Sequence, residues 1–145
     1  MAPPVRVLGF DYGTRQIGIA SGQSLTGNAE PVTVIRARDG IPDWDEIGRI
    51  ITEWRPDALI VGLPLNMDGT PSDMSTRAEK FARRLEGRFH LPVHRVDERL
   101  STFEAKQTLR DQGRMPTSYR TDPVDAIAAA LLLQTWLGSL PKETQ

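Results

Sequence analysis

Cysteine is absent from the 145-residue sequence. That excludes disulfides, thiolate nucleophiles and cysteine-based zinc sites. Histidine is scarce, with only His90 and His94. Both read as surface or packing residues rather than ligands. No run approaches the ~20 apolar residues that a membrane-spanning helix needs, so no membrane partner is expected. The amino end, MAPPVRVLGF, lacks the basic-then-apolar pattern of an export signal. Net charge is only −1, so no excess of one sign advertises a nucleic-acid partner. No internal repeat or low-complexity run appears. These features point to a cytoplasmic protein with a single domain over residues 1–145, long enough for a real core and too short for two lobes.

The distribution of charge says more than its sum. Residues from Glu30 to Asp73 are acid-rich, whereas Arg77 to Arg120 is basic-rich. A basic side on a near-neutral protein can steer a phosphate backbone. The plainer alternative is a solvated face on two helices.

Three short apolar segments open the chain: Val5–Tyr12, Ile17–Ser21 and Val32–Ile35. They predict an antiparallel meander. Asp43, with Glu46 three residues on, predicts a capped helix carrying Trp44, Ile47, Ile50, Ile51 and Trp54 at helical spacing and stopped by Pro56. Trp44, Trp54 and Trp136 read as core residues rather than base-stacking platforms. Ala58–Val61 reads as a buried strand, followed by a turn-rich loop from Gly62 to Pro71 of the sort that is often functional. A second helix starts between Ser72 and Thr76, with Ala78, Phe81, Ala82, Leu85 and Phe89 on one face. Pro92–Val96 is the next strand. Ser101 and Glu104 suggest a third helix ending near Gly113, and Gly113–Thr121 a connection. Asp122-Pro123 starts a last helix, with Val124, Ile127, Ala128, Leu131 and Thr135 inward. The order implies an α/β fold: a mixed five-stranded sheet, meander first and parallel strands after, flanked by helices. Ligands in such sheets gather beyond the carboxyl ends of the parallel strands.

Acids stand at those points. Asp11 ends the first strand, Asp97 and Glu98 end a later one, and Asp125 lies in the first turn of the last helix. Brought together without a partner they would repel, and burial would push protons onto them. A hard divalent cation relieves both effects. Two such ions about 4 Å apart can activate a water and neutralise a leaving 3′ oxygen. Each acid also has a plainer reading. Asp11 can accept hydrogen bonds in the Gly13 turn, Glu98 can pair with Arg99, and Asp125 can favour its helix dipole. Spacing does not separate Asp97 from Glu98.

Several motifs occur in order: Asp11-Tyr12-Gly13-Thr14, Gly18-Ile19-Ala20, Gly62-Leu63-Pro64 with Asn66, Asp68 and Gly69, Asp97-Glu98-Arg99-Leu100-Ser101-Thr102, and Val124-Asp125-Ala126-Ile127-Ala128-Ala129. As a set, covering about Val5 to Leu137, they resemble the YqgF/RuvX family of pre-16S rRNA nucleases, also called Holliday-junction-resolvase-like proteins. The resemblance implies an RNase H-like fold and a metal-dependent hydrolase acting on phosphodiester esters. Its three catalytic, metal-holding acids fall on Asp11, Glu98 and Asp125, choosing Glu98 over Asp97. It further implies Mg²⁺ or Mn²⁺, two ions in all, and a part in ribosome biogenesis through 5′-end maturation of 16S rRNA. Precursor rRNA is then the partner, alone or in pre-ribosomal particles, and the chain a monomer or homodimer. Arg15, Asn66 and Arg99 become candidates for nucleic-acid binding or for orienting the acids. One departure concerns Arg120-Thr121-Asp122-Pro123, which stands where relatives often carry a stretch ending in lysine. Arg120 is the substitute there. Asp122, one helical turn before Asp125, is either a cap or a helper in metal binding.

Other functions would use the same pattern. A resolvase acting on branched DNA needs the same acids, normally in a symmetric dimer. A non-catalytic RNA-binding assembly factor could retain the fold. Asp-Tyr-Gly-Thr also resembles the first phosphate loop of actin-like ATPases and sugar kinases. Those need a second lobe, and this chain has no second Asp-x-Gly-Gly.

Overall fold

The computed structural model describes residues 5–100 and 124–140, apart from the side chains of Leu100, Val124 and Asp125. The expected third helix, the Gly113–Thr121 connection, Arg120 and the Asp122-Pro123 cap lie outside the described residues.

β1 (Arg6–Asp11), β2 (Gln16–Gln23) and β3 (Asn28–Arg38) form the antiparallel meander. β5 (Ala58–Leu63) then pairs parallel to β1, and β6 (Val93–Asp97) parallel to β5. The sheet order is β4-β3-β2-β1-β5-β6. It has six strands where five were expected. The sixth is the two-residue β4 (Ile41–Pro42), which pairs with the end of β3. Between them Asp39 and Gly40 both take positive φ, 49° and 82°. This is the two-residue Asp-Gly turn that twists two strands into a hairpin. Pro42 is tolerated because it sits on an edge.

β3 is also longer than the Val32–Ile35 segment that the sequence suggests. Pro31 argues against a continuous strand, yet the register shifts there: Ile19 pairs with Thr33 and Ala20 with Pro31. Val32 is the extra residue of a bulge, one of the few places where a sheet accepts proline.

α1 (Trp44–Trp54) starts on Asp43, whose carboxylate accepts from the amides of Asp45 and Glu46. It ends in left-handed Arg55 before Pro56. α2 (Asp73–Phe89) starts on a reciprocal box between Ser72 and Ser75 and ends on left-handed His90. α1 and α2 cover one face of the sheet, over Leu8, Phe10, Ile17, Ile19, Leu59 and Val61. α3 (Val124–Ser139) covers the other, over Val7, Ala20, Ala29, Ala58, Ile60 and Val96.

The sequence predicts a one-sided α3, but the helix is buried on most of its circumference. Ala126, Ile127, Ala129, Ala130, Leu131, Leu132, Leu133 and Leu137 are all buried, while Ala128 and Thr135 are only half-buried. The sheet makes room for it with glycine. A Cβ on Gly9 would lie 2.6 Å from Leu133 Cγ, and one on Gly62 would lie 2.6 Å from Leu132 Cδ1. No described helix is long and apolar enough to cross a membrane.

Candidate active site

Strand alternation decides which acids can meet. Along β1, Leu8 and Phe10 face α1 and α2, whereas Val7 faces α3 and Gly9 lies beneath Leu133. Asp11 continues the second series and falls on the α3 side, at the carboxyl end of β1. On β5, Gly62 falls on that side too, beneath Leu132. At Asp97 the extended chain of β6 gives way to a 3-10 turn, Glu98–Leu100. The Glu98 side chain lies across Gly62 and shares a hydrogen bond with Asp11. Burial pushes the Glu98 carboxyl above its ordinary range. The Asp11 hydrogen bond pulls it back in part, and the Asp97 charge adds to the rise. Two converging carboxyl groups in a half-buried place favour retention of a proton between them.

Asp97, one residue earlier, has a different environment. The Arg99 Nε donates to both of its oxygens at 3.1 and 3.0 Å, and Nη2 donates to Oδ2 at 2.6 Å. The Arg99 amide donates to Oδ1 at 2.9 Å. These bonds hold Asp97 below its ordinary range. Neighbouring acids are thus divided, Glu98 towards Asp11 and Asp97 towards Arg99. The pairing of Glu98 with Arg99 that the sequence left open is taken by Asp97 instead.

Arg99 has a further task. Its Nη1 donates to the Met67 carbonyl at 3.0 Å, tying the loop after β5 to the turn that carries Glu98. That loop is internally braced. Asn66 Nδ2 donates to Thr70 Oγ1 and to the Pro71 carbonyl, at 3.0 and 3.1 Å. Asp68 Oδ1 accepts from the Thr70 amide and hydroxyl. Gly69 supplies the positive φ of 88° that closes the turn. Arg15 is exposed on the turn between β1 and β2. Beside it, the Tyr12 hydroxyl donates to the Gly40 carbonyl at 2.9 Å and braces the turn that follows Asp11.

Asp125 lies in the first turn of α3. The helix direction follows from its contacts. Leu132 and Leu133 meet Gly62 and Gly9, while Leu137 meets Gly22, which pairs with Val7. α3 therefore runs towards the amino end of β1, and its first turn points back towards the Asp11 end. Among the described residues no group of three His, Cys, Asp or Glu side chains converges. Asp11 and Glu98 are the two predicted acids that the described residues bring together, and the Asp125 side chain lies outside them.

The remaining candidates fall elsewhere. His90 caps α2, and His94 lies against Trp136 at 5.3 Å between ring centroids. Trp44 stacks on Phe81 with the Arg88 guanidinium 4.4 Å from its ring, but Trp54 is exposed rather than core. It borders a cavity of about 400 Å³ at the opposite end of the sheet, near Arg6 and Asn28. Part of the basic side is paired with acids where it is described. Arg77 pairs with Asp39, Arg83 with Glu79, and Arg95 with Glu79 and Glu86.

Comparison with known proteins decides the family. The model of a family described as RuvX, Holliday junction resolvase, matches residues 5–139. The chain belongs to that family. Among its relatives is a protein of Pseudomonas fluorescens strain SBW25, 63% identical over 131 residues, which are 90% of each chain. Another, from Azotobacter vinelandii, is 61% identical over 141 residues, 97% of this chain and 99% of that one. Both bear the name "Putative pre-16S rRNA nuclease". As a RuvX-family protein the chain is a hydrolase of the nuclease class. Its fold is that of RNase H-like resolvases. Thermus thermophilus RuvC, solved with a Holliday junction substrate, aligns with a TM-score of 0.57 at 16% identity, covering 92% of this chain and 93% of that one. The yeast mitochondrial resolvase Ydc2 aligns with a TM-score of 0.57 at 12% identity, covering 94% and 79%.

Gly62, which the sequence placed in a motif and at the start of the turn-rich loop, has the further role of a floor beneath Glu98 that the sequence did not assign to it. Its signal was a glycine directly after the apolar run Ala58–Val61, where a close approach to the backbone is one of the few reasons for the residue.

Proposed function

We propose that this RuvX-family chain is a metal-dependent nuclease that matures the 5′ end of precursor 16S rRNA in the cytoplasm, free or within pre-ribosomal particles. The observation that carries the reading is the hydrogen-bonded convergence of Glu98 on Asp11 at the carboxyl end of β1. Asp11, Glu98 and Asp125 are the acids assigned to the chemistry and to the cation.

The donor set suits Mg²⁺ or Mn²⁺. Burial penalises the charged form of Glu98 where it meets Asp11, and a hard cation held by the two carboxyl groups would relieve that penalty in place of a proton. A pair of such ions, when bound, supplies a water of lowered pKa and neutralises charge on the leaving 3′ oxygen. The protein's own residues do the rest. Burial of Glu98 against Gly62 keeps its carboxyl aimed at Asp11. Arg99 keeps the Asp97 charge occupied beside the pair. Arg15, exposed on the turn that follows Asp11, is assigned to the phosphate backbone. Asn66 is assigned to shaping the loop, through its bonds to Thr70 and Pro71, before any contact with nucleic acid.

The test uses purified wild type beside Asp11→Ala and Asp125→Ala, with Mg²⁺ or Mn²⁺, on precursor rRNA, short single-stranded RNA and a four-way DNA junction. Cleavage of precursor rRNA that both substitutions abolish supports the reading. Cleavage confined to the junction reassigns the chain to branched DNA. Wild-type cleavage that survives a chelator overturns the mechanism, and full biological activity of Asp11→Ala would make the protein a non-catalytic assembly factor.

A further inference from the structure

Met67 is 92% exposed, more than any other large apolar residue of the described chain. Leu25, Ile41 and Trp54 are also exposed, but none of them is on the loop tied to the acid pair. The segment around Met67 is not slack. Asn66, Asp68 and Thr70 cross-link it through six hydrogen bonds. Arg99 fixes the Met67 carbonyl itself and lies under Gly69, whose Cβ would stand 3.3 Å from Nη2. Arg99 follows Glu98 directly in the chain, so the Met67 backbone is anchored one residue from the acid that meets Asp11.

A thioether held in water on a braced loop gains nothing for the fold. It gains when an apolar surface arrives. A site for phosphodiester cleavage offers one apolar surface beside the charged backbone, the faces of the bases. Methionine is unbranched and polarisable, and it packs well against π faces. Apolar side chains of this kind enter partly unstacked base steps and bend the strand around them. We infer that Met67 is a substrate wedge: it enters a base step at a boundary between paired and unpaired nucleotides, and selects substrates in which that step opens easily. The same geometry reassigns Arg99 from a phosphate contact to a positioning residue, whose guanidinium is spent on Asp97 and on the wedge loop. This inference rests on the nuclease reading.

The experiment measures binding without cleavage, in the full chain carrying Asp11→Asn. The probe is an RNA hairpin with a single-stranded 5′ extension and 2-aminopurine at the boundary step. Its emission rises when the probe base unstacks. Binding should raise the emission. Adding Met67→Ala should abolish the rise and weaken hairpin binding by about tenfold, leaving a fully single-stranded oligonucleotide bound as before, while Met67→Leu keeps both properties. An emission rise that persists in Met67→Ala overturns the wedge, and so does equal weakening on hairpin and single strand. If no oligonucleotide binds at all, the nuclease reading fails and the wedge fails with it. If binding occurs but is indifferent to Met67, the wedge alone fails.

Discussion

Glu98 crosses Gly62 so closely that a Cβ at position 62 would stand 2.7 Å from Glu98 Oε1 and 2.6 Å from Leu132 Cδ1. One hydrogen atom on the backbone therefore lets an acid and a core helix share the same patch of β5. Gly62→Ala should push Glu98 off Asp11 and lift α3. Overpacking of this sort costs about 1–3 kcal/mol. A thermal melt would register the loss, and nuclease activity should fall further than the melt alone explains.

Asp11→Asn, Glu98→Gln and Asp125→Asn should each abolish cleavage. The loss should exceed the roughly 10–100-fold that removal of an outer partner of a metal ligand costs. Asp11→Asn and Glu98→Gln should not lower the melting temperature in chelator, since each removes charge from a crowded pair. Steady-state cleavage assays paired with melts would check both halves, and a variant that melts early for lack of folding would show up in the second.

Acidity gives a signed test. The folded-state pKa of Glu98 lies above its ordinary value of 4.5, chiefly through burial. The protonated form is therefore the one the fold prefers. Its contribution is complete below 4.5 and fades as pH climbs through the raised value. In chelator, wild type should lose stability across that window relative to Glu98→Gln, and added Mg²⁺ should restore it above the window. Melts recorded from acid to neutral pH, with and without the metal, would show a crossing of the two curves. Parallel curves would contradict the assignment.

Asp97 titrates in the opposite sense. Its pKa is depressed below 3.8 by the Arg99 hydrogen bonds, so the contact holds above that value and is lost as pH falls through the depressed one. Asp97→Asn should loosen the loop that Arg99 holds at Met67 while sparing the sheet. Amide hydrogen exchange at Gly69, whose N–H donates to the Asn66 carbonyl at 2.8 Å, would speed up. Exchange in β1 should stay slow.

Much of the architecture could be read directly from residue pattern. Asp43 before Trp44, Ser72 before Asp73 and the buried run Ala58–Val61 carry local physics strong enough to declare themselves. What escaped depends on partners distant in the chain. Pro31 is a strand breaker unless a bulge opposite Ile19 and Ala20 receives it. Asp39-Gly40 is a hairpin signal, hidden because the strand it serves has only two residues. Helical spacing predicts a one-sided α3 because it cannot reveal that a glycine-floored sheet encloses most of the helix's circumference. At the site, residue types and spacing proposed Asp11 with either Asp97 or Glu98, and the family resemblance chose Glu98. Neither could reveal that Arg99 would spend its donors on Asp97 and Met67, because that choice depends on how the chain turns after β6.

The glycine seats under Leu132 and Leu133 have a consequence at a distance. They act as a detent on α3 two turns away from Asp125. If the helix slipped by one residue, position 125 would travel about 1.5 Å along the axis and swing about 100° around it. Two methyl-sized notches at the middle of a greasy rod thus calibrate where residue 125 stands at its tip, and if Asp125 serves the chemistry proposed for it, an innocuous-looking change at Leu133 or Gly9 would be felt first as lost cleavage.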